Sequence, residues 1–206
     1  SLAGSDITLI NELLFDHYLY SVVPSEMPAS WHIEALKAQA VAARNFALVT
    51  MERHNAYGFD LCSIEHCQAY NGLEKENSST TEAVNATKGK VITYNGALIS
   101  TFYHSSSGGH TEDSENVWNA KTDYIRGVDD KFSLGSPYDN WTVELDKTEI
   151  KEKLAQSNIN LGEIRDIRIL ESSRYGRVTK LEIRGSKDTR IFNKEEIRRI
   201  IGTRLL

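Results

Sequence analysis

Cys62, His66 and Cys67 put two thiols and an imidazole within six residues, and His54 lies a short way upstream. Sulfur and imidazole donors at such spacing suit zinc, which takes N/S sets in tetrahedral geometry. The spacing is not that of a zinc finger. A local Cys62–Cys67 disulfide and a pair of free thiols are competing readings, and His104 and His110 are rivals for the last ligand. The other chemistry-bearing residue stands alone. Glu26 sits between Pro24 and Pro28. Each proline fixes its own φ and restricts the residue before it. The spacing therefore predicts a stiff, non-helical loop: either a seat that holds one acid still, or a plain turn between two helices. Lys37 and Arg44 are seven apart in the run that follows, on nearly one helical face. They line a groove or face solvent.

These residues need elements to hold them. Ile10, Leu13, Leu14, His17, Tyr18 and Ser21 follow a three-four spacing that predicts a helix over 7–23. A long helix is expected over 31–54, with Ser30 as N-cap and Glu34 favouring its first turn. Its stripe of Ile33, Leu36, Ala40, Ala43 and Ala47 is small enough for another element to approach closely. Residues 55–79 lack a period. A short helix follows over 80–88, capped by Ser79 or Thr80. Asn95-Gly96 between the β-rich runs 90–94 and 97–103 is a strong hairpin signal. The second run enters a polar, glycine-containing loop, 104–110, of the kind that brings backbone N–H groups near a ligand. Trp118, Tyr124 and Trp141, with Asp123, Asp129, Asp130 and Asp139, have the composition of a sugar-binding surface, or are core. A strand is expected over 141–145. Asp146 and Glu149 form a capping-box pattern before a helix to Gln156, and Asn193 and Glu196 form another before a helix over 194–201. Runs 164–171 and 177–184 alternate like paired strands. The class is α+β, with mixed helices and antiparallel strands: a single domain over 1–206 with a smaller C-terminal α/β lobe at about 142–192.

The chain has 206 residues, 40% hydrophobic and 26% charged, with a formal net charge of -5. This is the composition of a globular protein. The charge gives no basic field to recommend nucleic acid as a partner. No apolar run approaches the roughly 18 residues of a membrane span, and no signal-peptide pattern opens the chain. Gly-rich phosphate loops, His-Glu-x-x-His and nucleophile elbows are missing from the sequence. The serines of 105–107 suggest a nucleophile only beside a base.

The stretches Leu19-Tyr20-Ser21-Val22-Val23-Pro24-Ser25-Glu26-Met27-Pro28 and Leu36-Lys37-Ala38-Gln39-Ala40-Val41-Ala42-Ala43-Arg44 resemble the stage II sporulation protein D family of lytic transglycosylases, which includes amidase enhancers. Gln68-Ala69-Tyr70-Asn71-Gly72 looks like its Gln-x-Tyr-x-Gly element. Tyr103 to Glu112 resembles its Ser-Gly-Gly loop, and Val117-Trp118 with 124–129 the element after it. The motifs run in order from about residue 10 to 145, and the tail is less distinctive. The resemblance implies a catalytic domain that cuts bacterial cell-wall glycan during engulfment in sporulation. It would cleave the MurNAc–GlcNAc bond of peptide-stripped strands and leave 1,6-anhydro-MurNAc ends. The family's acid falls on Glu26 and its groove cations on Lys37 and Arg44. Tyr103, Ser105, Ser106, Gly108 and Gly109 are the candidates for holding sugars. Zinc on Cys62, His66, Cys67 and His54 would be structural, with no cofactor needed for the chemistry. The resemblance also implies stage II sporulation proteins P and M as partners. It implies an extracytoplasmic location, anchored to the engulfing mother-cell membrane by an N-terminal helix outside this sequence. A non-catalytic glycan-binding activator of an amidase is the alternative from another class, and a zinc amidase a weaker third.

Overall fold

The computed structural model describes residues 2–3, 6–118, 120–135 and 142–201. The fold is α+β, and its contacts gather into two units, Ser1–Tyr103 and His104–Leu206. The C-terminal lobe expected at about 142–192 lies within the second unit. Among the described residues no helix is long and apolar enough to cross a membrane.

The first unit opens with a small antiparallel pair, β1 (Leu2–Ala3) and β2 (Asp6–Ile7), followed by helices α1 (Phe15–Glu26), α2 (Ile33–Thr50) and α3 (Ser78–Ala86). A two-stranded hairpin, β3 (Thr93–Tyr94) and β4 (Ala97–Leu98), follows them. The core comes from Leu19, Val22 and Val23 of α1, Ala40 and Ala43 of α2 and Val84 of α3. The alanines let α1 and α3 pack close on α2, as their spacing predicts. Buried polar groups do the remaining joining. Asn45 of α2 donates to the carbonyls of Ile92 and Ile99 and accepts from the Ile92 amide at 2.8 Å, which fixes the hairpin against the helix. Its turn is the expected one: Asn95 and Gly96 both have positive φ, 50° and 80°, the twist a two-residue hairpin needs.

Helix α1 departs from expectation at both ends. It begins at Phe15, eight residues late, because Leu9, Ile10, Leu13 and Leu14 find no core face and stay exposed. At its other end it runs through Pro24 to Glu26, so Glu26 is the last helical residue and not part of an extended loop. A proline near a helix end costs the amide bond to the carbonyl four residues back. Here Val22 and Val23 are fully buried, and that packing overrides the local bias against helix. The cap of α2 also differs. Pro28 to Trp31 close a turn of their own, and His32 takes the cap, its Nδ1 accepting from the Glu34 amide at 3.2 Å. Asn77, not Ser79 or Thr80, caps α3.

The second unit holds a short α4 (Ser114–Val117), α5 (Lys147–Gln156), strands β5 (Ile164–Ser172), β6 (Val178–Gly185) and β7 (Thr189–Asn193), and α6 (Lys194–Ile201). The strands form one antiparallel sheet in the order β5-β6-β7. Leu154 of α5, Leu181 and Ile183 of β6, Phe192 of β7 and Ile197 and Ile200 of α6 make its core. The capping box at Asp146 and Glu149 is complete, and the Asn193 amide donates to Glu196 as the second pattern predicts. Residues 142–145 carry no strand, and Asp139 and Trp141 lie outside the described residues.

Candidate active site and metal centre

Glu26 ends α1 half-buried, and its Oε1 accepts from the Ala69 amide at 2.8 Å. That contact is one of a series. The loop 68–72 docks along α1 residue by residue. Gln68 Oε1 accepts from the Tyr18 hydroxyl at 3.3 Å, and Tyr70 stacks on Tyr18 with centroids 5.5 Å apart. The Asn71 amide donates to Ser21 Oγ at 3.2 Å and the Asn71 side chain to Ser25 Oγ at 3.0 Å. Ser21 Oγ donates in turn to the Gly72 carbonyl at 2.9 Å. The acid is thus held by a backbone N–H on a loop that side chains fasten to the acid's own helix. A carboxylate fixed by an amide has a set orientation, which acid/base work requires.

Two phenols feel its charge. Tyr103 accepts from Gln68 Nε2 at 2.9 Å. Burial, with help from the Glu26 carboxylate, pushes Tyr103 up to about 12, against the pull of the Gln68 donor. Tyr18 is pushed up by burial and by neighbouring negative groups, with Glu26 the contributing carboxylate. Both therefore remain hydroxyls at neutral pH.

The two cations behave differently. Lys37 is half-buried and bonds Glu34 Oε1 at 2.7 Å. Arg44 is 2% exposed and donates to the Val84 carbonyl, Thr87 Oγ1 and the Lys90 carbonyl, with Asp16 3.7 Å away. Its guanidinium faces the end of α3 inside the first unit, where a glycan has no access to it. The expected shared groove face does not arise, because one of the two cations is turned inward.

Cys62, His66, Cys67 and His54 converge, their ligand atoms all within 4.8 Å of one another. Cys67 Sγ lies 3.4 Å from His54 Nε2 and 3.7 Å from His66 Nδ1, and Cys62 Sγ lies 3.6 Å from His66 Nδ1. A tetrahedral zinc with bonds of ~2.3 Å to sulfur and ~2.0–2.1 Å to nitrogen has S···N edges of about 3.6 Å. The set fits that ion. Both cysteines are free thiols, so the disulfide reading does not hold in this structure. His54 stacks on Phe59 at 5.0 Å, which orients its ring. Of the two rival ligands, both in the second unit, His110 stacks on Tyr175, and neither it nor His104 joins the cluster. Burial pushes the Cys67 thiol up, unlike an activated nucleophile.

Ser105, Ser106, Gly108 and Gly109 belong to the second unit. Ser105 and Gly108 are exposed, and Ser106 Oγ accepts from the Gly108 amide at 3.3 Å. Gly109, at φ 100°, donates its amide to Ser133 Oγ at 2.8 Å, and a Cβ there would press on Leu134 at 3.0 Å. Ser107 Oγ hydrogen-bonds Asp130 Oδ2 at 2.8 Å and Ser133 Oγ at 2.7 Å, which anchors the loop. Gln68, Tyr18 and the Ala69 amide carry no role in the sequence reading. The Gln-x-Tyr-x-Gly pattern was the available signal, but a pattern does not say which partners its residues take.

A family model described as stage II sporulation protein matches residues 3–94, and one described as a domain of unknown function matches residues 134–205. An uncharacterized protein of Brachyspira hyodysenteriae is 33% identical over 199 residues, covering 96% of this chain and 53% of its own length. The amidase enhancer of Bacillus subtilis is 42% identical over 135 residues, 66% of this chain and 18% of that protein. Stage II sporulation protein D of Bacillus subtilis is 31% identical over 160 residues, 70% of this chain and 47% of that protein. The chain spans about half the length, or less, of these curated relatives.

Proposed function

Because this chain belongs to the stage II sporulation protein D family, we propose that it is a peptidoglycan lytic transglycosylase with Glu26 as its acid and base. The supporting observation is the geometry of that one carboxylate: it is half-buried, fixed by the Ala69 amide, and the carboxylate that acts on both neighbouring phenols. Common glycoside hydrolases need two carboxyl groups flanking the bond. A transglycosylase can work with one. Glu26 gives its proton to the glycosidic oxygen between MurNAc and GlcNAc as the C1–O bond breaks. The MurNAc C6 hydroxyl then closes on C1, and its proton returns to Glu26. The product is a 1,6-anhydro end, and no water is consumed. Lys37 is the cation of α2 with surface to offer a glycan. Ser105, Ser106, Gly108 and Gly109 are proposed as sugar contacts on the strength of the resemblance.

The Cys62–His66–Cys67–His54 set is proposed to hold a structural zinc. Bound there, the ion would tie the turn after α2 to the residue preceding Gln68. The substrate places the site outside the cytoplasm, facing the wall, with the sporulation proteins P and M as the partners the family suggests. A second reading is favoured by the amidase-enhancer relative: a glycan-binding protein that activates an amidase without cutting glycan. Purified protein on peptide-stripped strands decides between them. Mass spectrometry should find anhydro ends with the native protein and none with Glu26→Gln, while strand binding persists. If the native protein binds strands and releases no anhydro ends, the activator reading stands instead.

A further inference from the structure

The tip between β5 and β6 is closed on itself. The Ser173 amide donates to the Arg177 carbonyl at 2.8 Å and the Gly176 amide to the Ser173 carbonyl at 2.9 Å. Its side chains bond a different part of the second unit, the segment that follows the Ser-Gly-Gly loop. Ser173 donates to Glu112 Oε2, Arg174 to the Gly127 carbonyl at 3.2 Å, and the Tyr175 hydroxyl to that same carbonyl at 2.9 Å. Tyr175 also stacks on His110, with centroids 4.6 Å apart and planes 21° from parallel. Gly127 is buried and has no left-handed φ, so its conformation does not ask for glycine. Space does: a Cβ at 127 would collide with the Tyr175 ring. His110 Nδ1 is buried and has no hydrogen-bond partner among the described residues, so the ring is oriented by its stack on Tyr175. The tip belongs to the stretch 134–205 that matches a domain of unknown function. Resting on the reading of Ser105, Ser106, Gly108 and Gly109 as sugar contacts, we propose that this stretch serves the glycan site through its hairpin tip, with Tyr175 as a positioning residue for the Ser-Gly-Gly loop.

Such a loop needs a brace. Gly108 and Gly109 both take left-handed φ, 64° and 100°, and glycine has more backbone freedom to lose than any other residue. A loop that has to be ordered as the glycan binds gives up affinity for that ordering. Two sets of contacts order it beforehand. Ser107 and the Gly109 amide bond Ser133, and Ser107 also bonds Asp130. Beyond them, the backbone of 109–111 pairs with 128–130: His110 bridges Asp129, the Thr111 amide donates to the Val128 carbonyl, and the Asp130 amide donates to the Gly109 carbonyl, each bond at 2.8 Å. Tyr175 touches both sides of that pairing, His110 on one and Gly127, the residue before Val128, on the other. Its hydroxyl proton is already engaged by Gly127, so its part is placement.

Binding of peptide-stripped strands to the Glu26→Gln protein, used so that strands persist, tests this. In NMR the Gly108 and Gly109 amides should shift as strands are added. Tyr175→Leu should move those amides and the His110 ring protons before any strand is present. The strand Kd should rise about tenfold in Tyr175→Leu and stay within about twofold in Tyr175→Phe, which keeps the stack. Gly127→Ala keeps every side chain of the tip but displaces the ring, and should raise Kd as Tyr175→Leu does, so a Tyr175→Leu protein that fails to fold does not shield the proposal. With Glu26 restored, Tyr175→Leu should raise KM and leave kcat within about twofold. Native Kd in Tyr175→Leu or in Gly127→Ala, while the glycine amides respond to strands, overturns the proposal. So does a lowered kcat at native KM, the behaviour of a protein that has only lost folded molecules. If the glycine amides of the parent ignore the strands, it is the sugar-contact reading that fails, and the glycan role of the tip falls with it.

Discussion

The Arg44 guanidinium ties the end of α3 to the turn after it, donating to the carbonyls of Val84 and Lys90 and to the hydroxyl of Thr87. Removing this buried donor unties α2 from the end of α3 and leaves Asp16 with the exposed Lys88 as its cation. Arg44→Met should therefore cost about 2–4 kcal/mol of stability, read from the denaturant midpoint. Arg44→Lys should recover only part, since an ammonium lacks the fork that reaches several carbonyls. Lys37→Ala should change stability little, because its partner pair with Glu34 is exposed, and should act on glycan affinity instead. The two substitutions separate a cation that joins elements from one that can meet a ligand. Sequence spacing treats them alike, since seven residues of helix say nothing about which side the neighbouring helix covers.

At the scale of elements, the second unit carries a pH signature. Glu115 of α4 is bound by Arg126 and held at about 2, below the ordinary value of 4.5. Its folded form binds a proton more weakly than the unfolded chain does. The stabilisation is thus complete above about 4.5 and is lost as pH falls toward 2. Denaturant midpoints taken from pH 5 down to 2 should fall for the native protein and fall less steeply for Glu115→Gln. In the first unit the proposed zinc ligands span the turn after α2 and the loop leading to Gln68. A chelator should lower the melting temperature, and zinc should restore it. Elements built from local chemistry were readable in advance: the Asn95-Gly96 turn, the Asp146 capping box, and the alternation of β5 and β6. The run through Pro24 was not, because the burial of Val22 and Val23 that enforces it comes from residues far along the chain. The start of α1 failed for the converse reason, as an apolar period predicts a helix only where there is something for it to cover.

For the whole molecule, the same division between near and far explains what could be read of the site. Glu26 and the four converging cysteines and histidines were legible as residue types at telling spacings. The way they are joined was not. Gln68 reaches partners 50, 25 and 35 residues away in sequence, and no spacing rule links those positions. The loop 68–72 lies where these long connections cross: Cys67 precedes it, α1 receives it, and Tyr103 closes over Gln68. The Ala69 N–H therefore has a side chain from another element as its acceptor, so its deuterium uptake is a clock for the assembly of the site. It should exchange slowly in the native protein, at a rate set by undocking of the loop from α1. Glu26→Ala should speed that amide selectively, and chelation should speed it together with the Asn71 amide. A mass shift on the peptide around residue 69 would then count the molecules that are ready to work, without any substrate present.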